Sequence, residues 1–174
     1  MTRIKSLIVL VSLGILFGAM MLDEDRRVKQ IDITKVSSPD APPCVRLYSL
    51  LEKYSEQYDV PFYIAIGVAS EETGYDGPFH WSYNPKRVSS AAAYGAMQIQ
   101  VPTANGNWDK RVTSQMLMND LELNVHISMR LLARLKKIYG NWPQALGAYN
   151  SGRPIINDYA RRIASGQSNP LKGI

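Results

Sequence analysis

One glutamate, Glu72, stands near the end of a short run whose other members include Ile64, Ala65, Val68 and Ala69. It is followed by Gly95-Ala96-Met97-Gln98 and, further on, by Ala148-Tyr149-Asn150-Ser151-Gly152. An apolar helix has little structural use for a carboxylate on its core side. A carboxyl in such a setting resists ionisation, stays protonated near neutral pH and can act as a general acid. Hydroxyl, amide and phenol groups such as those of Ser89, Gln98 and Tyr149 suit a neutral polyhydroxylated ligand, held by hydrogen bonds and an aromatic edge. Each also has an ordinary use: Gln98 and Asn150 as turn or cap residues, Met97 as core filler, Tyr149 as a buried aromatic.

The helix that must present Glu72 starts after Asp59-Val60-Pro61, carries Phe62 to Thr73 and ends at Gly74, a residue suited to the left-handed conformation of a C-terminal cap. On a wheel of about 100° per residue with Ile64 at zero, its apolar side chains cover roughly 0 to 200°. Glu72 falls at about 80°, inside that arc, and Glu71 near 340°, at its edge. The wheel therefore sends Glu72 toward the core side and Glu71 toward solvent.

The surrounding elements are also helical. Leu47, Leu50, Leu51, Tyr54 and Tyr58 recur at helical spacing from Pro43 to Tyr58, with the proline in the first turn. Asn119 and Glu122 form a variant capping box for a long helix to Tyr139, closed by Gly140. Trp142-Pro143 opens another helix toward Tyr149, and Pro154 to Ala164 reads as the last. Residues 74–90 are rich in breakers and form a loop with at most a short hairpin. Strand signals are almost absent, so the class is mainly α.

Bulk properties bound the remainder. A chain of 174 residues with 45% hydrophobic composition holds one compact domain. Arg3 and Lys5 precede an uncharged run from Ser6 to Leu22, which reads as an export signal or membrane anchor (1–22). Leu16 and Phe17 fit a peptidase site poorly, which favours the anchor, and the basic tip orients the chain outward, into the periplasm or cell envelope. Residues 23–42 read as a linker, 43–165 as the catalytic domain and 166–174 as a tail. Net charge is +5, too mild to argue for nucleic acid. Cys44 is the single cysteine, so no intramolecular disulfide forms, and it reads as a packed residue. His80 and His126 have no acid or cysteine at ligand spacing, and no metal or other cofactor is expected.

Taken together, Glu72-Thr73-Gly74-Tyr75, Asn84-Pro85, Val88-Ser89, Gly95-Ala96-Met97-Gln98-Ile99 with Pro102-Thr103-Ala104, Asn124, and Ala148-Tyr149-Asn150-Ser151-Gly152 resemble the ordered motifs of the soluble lytic transglycosylase (SLT) catalytic domain over residues 45–163. The resemblance implies a lysozyme-like helical fold. It implies cleavage of the β-1,4 bond between N-acetylmuramic acid and N-acetylglucosamine in peptidoglycan strands, leaving a 1,6-anhydromuramic acid end. By motif, Glu72 is the single acid and then base, with the substrate's acetamido group supporting the developing cation. Thr73, Ser89, Met97, Gln98, Tyr149 and Asn150 are implied around the sugar.

The chain departs from the family pattern in three places. Thr73 replaces the usual serine after the glutamate, Ala96 replaces the usual leucine, and residues 76–83 lengthen the spacing to Ser89. The aromatics of that insertion, Phe79, Trp81 and Tyr83, either extend a saccharide cleft or tuck the loop onto the domain. Asp109 is the acid to test if the product proves to be hydrolytic. A muramidase on the same fold is the alternative enzyme. A wall-docking accessory part of a secretion, conjugation or phage entry machine, held at the inner membrane by residues 6–22, is the alternative of another class.

Overall fold

The computed structural model describes residues 40–173; the export or anchor segment and most of the linker read from the sequence lie outside them. Among the described residues the elements are α1 (Pro43–Tyr58), α2 (Phe62–Thr73), β1 (Ala93–Tyr94), β2 (Ile99–Gln100), α3 (Val101–Asn105), α4 (Ser114–Asn119), α5 (Leu121–Tyr139), α6 (Trp142–Ser151) and α7 (Asp158–Ala164). None of these helices is long and apolar enough to cross a membrane.

α2 is the centre of the domain. Ile64 through Ala69 are all buried, together with Leu47, Leu51 and Tyr54 of α1, Val125, Met129 and Leu132 of α5, Leu146 of α6 and Ile163 of α7. A helix this apolar owes its stability to packing, since neither end carries a side-chain cap. Its stop is built from Gly74, whose φ of 68° places its N–H on Ser70 O at 2.8 Å. Cys44 is buried in the same core, and its carbonyl accepts a hydrogen bond from the Tyr75 hydroxyl at 2.7 Å.

A second, smaller cluster joins Ile99, Ala104, Val112, Leu117 and Ile127 beneath the hairpin. The hairpin pairs Ala93 with Gln100 and Tyr94 with Ile99, antiparallel. The sequence allowed a short hairpin within residues 74–90; the strands instead follow that loop, joined by a turn with two left-handed residues, Gly95 (φ 79°) and Gln98 (φ 47°). Gly95 has no alternative: a Cβ there would come within 2.3 Å of Asn124 Nδ2 and 2.4 Å of Leu117 O.

Several expected boundaries move. Asp120, not Asn119, caps α5, because its backbone is extended and its Oδ1 accepts the Leu123 N–H at 2.9 Å; Asn119 ends α4. The last helix begins at Asp158 rather than Pro154. Asn157 caps it through the Ala160 N–H, and residues 153–157 fold in tight turns. α6 runs on to Ser151, and the short helices α3 and α4 were not expected from periodicity. The residues read as a tail pack back: Leu171 lies against the main core and Ser168 Oγ donates to Glu71 Oε1.

Candidate functional site

Glu72, Ser89, Gln98, Tyr149 and Asn150 line one cleft of about 550 Å³. Glu72 comes from the last turn of α2, Ser89 and Gln98 from the loops flanking β1, and Tyr149 and Asn150 from the end of α6. The lining also includes an apolar strip from α5, Leu131, Leu135 and Tyr139 at successive turns of the helix.

The Glu72 carboxyl is pushed up to about pKa 7, mainly by burial. The Tyr159 hydroxyl, donating to Oε1 at 2.8 Å, pulls the other way, and the neighbouring Glu71 adds to the rise. The C-terminal end of the helix dipole also disfavours a carboxylate at this place. Glu72 is therefore a carboxyl that keeps its proton to near neutrality while facing an open cleft. Tyr159 is a site residue the sequence reading missed. It shares a helical face with Ala160 and Ile163, so its place on the core side of α7 was available from spacing alone.

Glu71 does not face solvent. Arg162 grips it with two bonds, Nε to Oε1 at 2.8 Å and Nη2 to Oε2 at 2.6 Å, and its side chain is only 18% exposed. That pairing holds its carboxyl below the usual range. The wheel placed it correctly on the edge of α2 but could not show that α7 and the chain beyond it cover that edge.

Two of the residues implied by motif are not cleft-lining. Thr73 is buried, its hydroxyl shared among Ala69 O, Ala96 O and the Tyr83 hydroxyl at 2.8 to 3.0 Å. Its hydroxyl thus serves the junction between α2, the hairpin loop and the 76–83 loop. Met97 is fully buried, and what it supplies is backbone: its carbonyl accepts the Tyr149 hydroxyl at 2.7 Å and its N–H donates to Asn124 Oδ1 at 2.9 Å. Asn124, itself fully buried, also donates to Tyr94 O and Leu117 O, so one amide ties α5, α4 and the hairpin together. Gln98 donates both amide hydrogens, to Arg87 O and Gly95 O, which leaves its carbonyl oxygen as the group offered to the cleft. Ser89 Oγ accepts the Ala93 N–H at 3.2 Å, fixing the hydroxyl at the rim, and Asn150 Oδ1 is held by Asn157 at 2.9 Å.

The inserted loop divides. Tyr83 is buried against Tyr75 and bonds Thr73, whereas Phe79 and Trp81 are 78% and 65% exposed, and none of the three lines the cleft. Asp109 is likewise remote, exposed and paired with Arg130 at 3.1 Å.

With this geometry established, comparison with known proteins gives a consistent result. Residues 49–170 match the model of the transglycosylase SLT domain. Protein IpgF of Shigella flexneri is 29% identical over 101 residues, covering 58% of this chain and 64% of IpgF, and IpgF of Shigella sonnei matches equally. The match thus spans just under two thirds of those relatives. Among solved structures, the 70-kDa soluble lytic transglycosylase in complex with bulgecin A aligns with a TM-score of 0.53 at 23% identity, over 74% of this chain and 22% of that one. The SLT70 structure from Escherichia coli aligns at 0.51 and 23%, over 72% and 20%. At that identity the likeness is one of fold. The family match, by contrast, runs across most of the described residues and over the helices that build the cleft, and the chain belongs to the transglycosylase SLT domain family.

Proposed function

We propose that the chain is a peptidoglycan lytic transglycosylase that cleaves the β-1,4 bond between N-acetylmuramic acid and N-acetylglucosamine, with Glu72 as its only acid and base. The observation that carries this reading is that Glu72 is the one carboxylate among the residues lining the cleft. A hydrolase of the two-carboxylate type needs a second acid about 5 to 10 Å across the scissile bond. The nearest acid in sequence, Glu71, is committed to Arg162 and Ser168.

In the first step protonated Glu72 gives its proton to the glycosidic oxygen as that bond breaks, and the acetamido oxygen of the muramic acid supports the cation at C1. In the second, the Glu72 carboxylate takes the proton of the C6 hydroxyl as O6 bonds to C1. The acid is regenerated and no water is consumed. A carboxyl with a pKa of about 7 serves both halves, because neither protonation state is costly near neutrality. Tyr159 engages Oε1, leaving Oε2 to carry the transferred proton. Ser89, Gln98, Tyr149 and Asn150 would orient the sugars, and the apolar strip of α5 would meet their C–H faces.

Purified peptidoglycan digested with the protein should release anhydro-muropeptides, identified by mass spectrometry as lighter by one water than the reducing-end products. Reducing ends from the wild type would establish the muramidase instead. Export follows from the substrate's location, with residues 6–22 as signal or anchor; a reporter enzyme active only outside the cytoplasm, fused after the domain, tests it.

A further inference from the structure

Two consecutive acids end α2, and two side chains one turn apart on α7 hold them: Tyr159 takes Glu72, and Arg162 takes Glu71. The pairings differ in kind. Glu72 receives a single neutral hydroxyl, while Glu71 receives a full positive charge through a two-point contact, closed by Ser168 from the chain beyond α7. Glu71 is ionised wherever Glu72 titrates. A bare anion on the adjacent residue would bind the Glu72 proton more tightly and make its ionised form, needed in the second step, scarcer.

The other groups that bear on Glu72 are few. Tyr149 from α6 and Tyr159 from α7 are half-buried tyrosines whose own ionisation is opposed by desolvation and by the Glu72 charge. Arg87 reaches the Thr73 carbonyl at 2.9 Å, and Asp158 pairs with Arg161 at 3.4 Å.

We propose that Arg162 is a positioning residue for Glu72: by offsetting the Glu71 charge and clamping the last turn of α2 to α7, it limits the field that Glu71 sets against the Glu72 carboxylate. This rests on Glu72 being the acid of the proposed reaction. The pairing is local to this chain's Glu71-Glu72 doublet, since a neutral residue at position 71 would leave Arg162 with nothing to offset.

The test is a carbon-13 NMR titration of the Glu72 side-chain carboxyl in the full chain, alongside the pH dependence of kcat/KM on purified peptidoglycan. Arg162→Met should raise the Glu72 midpoint by about half a pH unit at low salt, less at high salt, and move the alkaline limb with it. Glu71→Gln/Arg162→Met should return the midpoint to the wild-type value or just below it, and Arg162→Lys should keep the midpoint at the wild-type value. An unchanged midpoint in Arg162→Met overturns the proposal. So does a raised midpoint that persists in the double variant, which would mark a distortion of α2 instead of a charge. If Arg162→Met fails to fold, Glu71→Gln alone decides: it removes the Glu71 charge while keeping that of Arg162 and should lower the midpoint, and no change overturns the idea. A wild type that titrates normally yet releases no anhydro product would refute the proposed reaction while leaving the charge coupling to be read from the NMR arm.

Discussion

Two regions of the domain gather aromatic and titratable side chains, and they are built on opposite plans. On the outer face of α1 and α5, His126 stacks on Tyr54 with ring centres 4.3 Å apart, meets the edge of Trp108 at 4.7 Å and bonds the Tyr58 hydroxyl at 2.6 Å. Every charge around it has a partner: Lys53 with Glu122 at 2.6 Å, Arg130 with Asp109 at 3.1 Å and over the Trp108 ring. Burial lowers the His126 pKa, so the ring is neutral at pH 7 and acts as one more aromatic. At the cleft, Glu72 has no cation of its own. The difference teaches that a cluster of polar and aromatic groups is no guide to chemistry. What marks the cleft is one group left electrostatically unbalanced beside open space.

The sharpest way to break that contrast is Glu72→Gln. It should lower release of anhydro-muropeptides by about 10³-fold or more, measured as initial rate on purified peptidoglycan, whereas Asp109→Asn should leave that rate unchanged. Full activity in Glu72→Gln would place the chemistry elsewhere.

The same variant has a second reading in stability. The folded Glu72 pKa of about 7 lies above its unfolded value near 4.5, so the fold favours the protonated form. Below pH 4.5 both states are protonated and nothing is lost. Between 4.5 and 7 only the unfolded chain ionises and stability falls, reaching a plateau above 7. Glu72→Gln should therefore be more stable than wild type at pH 8 by roughly 3 kcal/mol, and equal to it at pH 4. Urea denaturation at the two values decides, and a pH-independent difference would contradict the burial argument.

Asn124→Leu removes the amide that joins α5, α4 and the hairpin, taking from the Met97 N–H its acceptor and from the Tyr94 and Leu117 carbonyls a donor. A loss of about 2 to 4 kcal/mol in thermal or urea unfolding is expected. Smaller again is Tyr159→Phe, which deletes the one bond that favours the Glu72 carboxylate. The alkaline limb of activity should move from near pH 7 to higher pH by about half a unit. His126→Phe should move neither limb, since its ring serves packing.

Much of the helical frame is legible in the chain because each long helix carries an uninterrupted period: Pro43–Tyr58 and Phe62–Thr73 fall where Leu47, Leu51 and Ile64, Val68 place them. The short helices α3 and α4 span too few residues to display a period. The hairpin depends on left-handed φ at Gln98, a residue type that does not announce it. Around the site, the helical wheel separates Glu72 from Glu71 but carries no information about what lies across from either. Tyr159, Arg162 and Ser168 are about ninety residues away, and only the packing of α7 on α2 brings them close. Motif resemblance picks out Thr73 and Met97 as neighbours of the cleft without distinguishing a side chain that faces ligand from one that holds the wall.

Gly147 makes the point about distance in another way. In the middle of α6, it lets the Ile155 carbonyl come so near that a Cβ would lie 2.0 Å from the oxygen. Two residues after Ile155, Asn157 caps α7 and bonds Asn150, and two residues after that stands Tyr159. A single methyl at 147 must push this chain outward and carry the tyrosine off the acid. In a saturation scan read out by wall cleavage, position 147 should tolerate substitution as poorly as Glu72 itself, yet it touches no sugar. Intolerance at this helix would record a steric debt owed by the loop behind it, and a map of essential residues would draw the active site larger than the cleft.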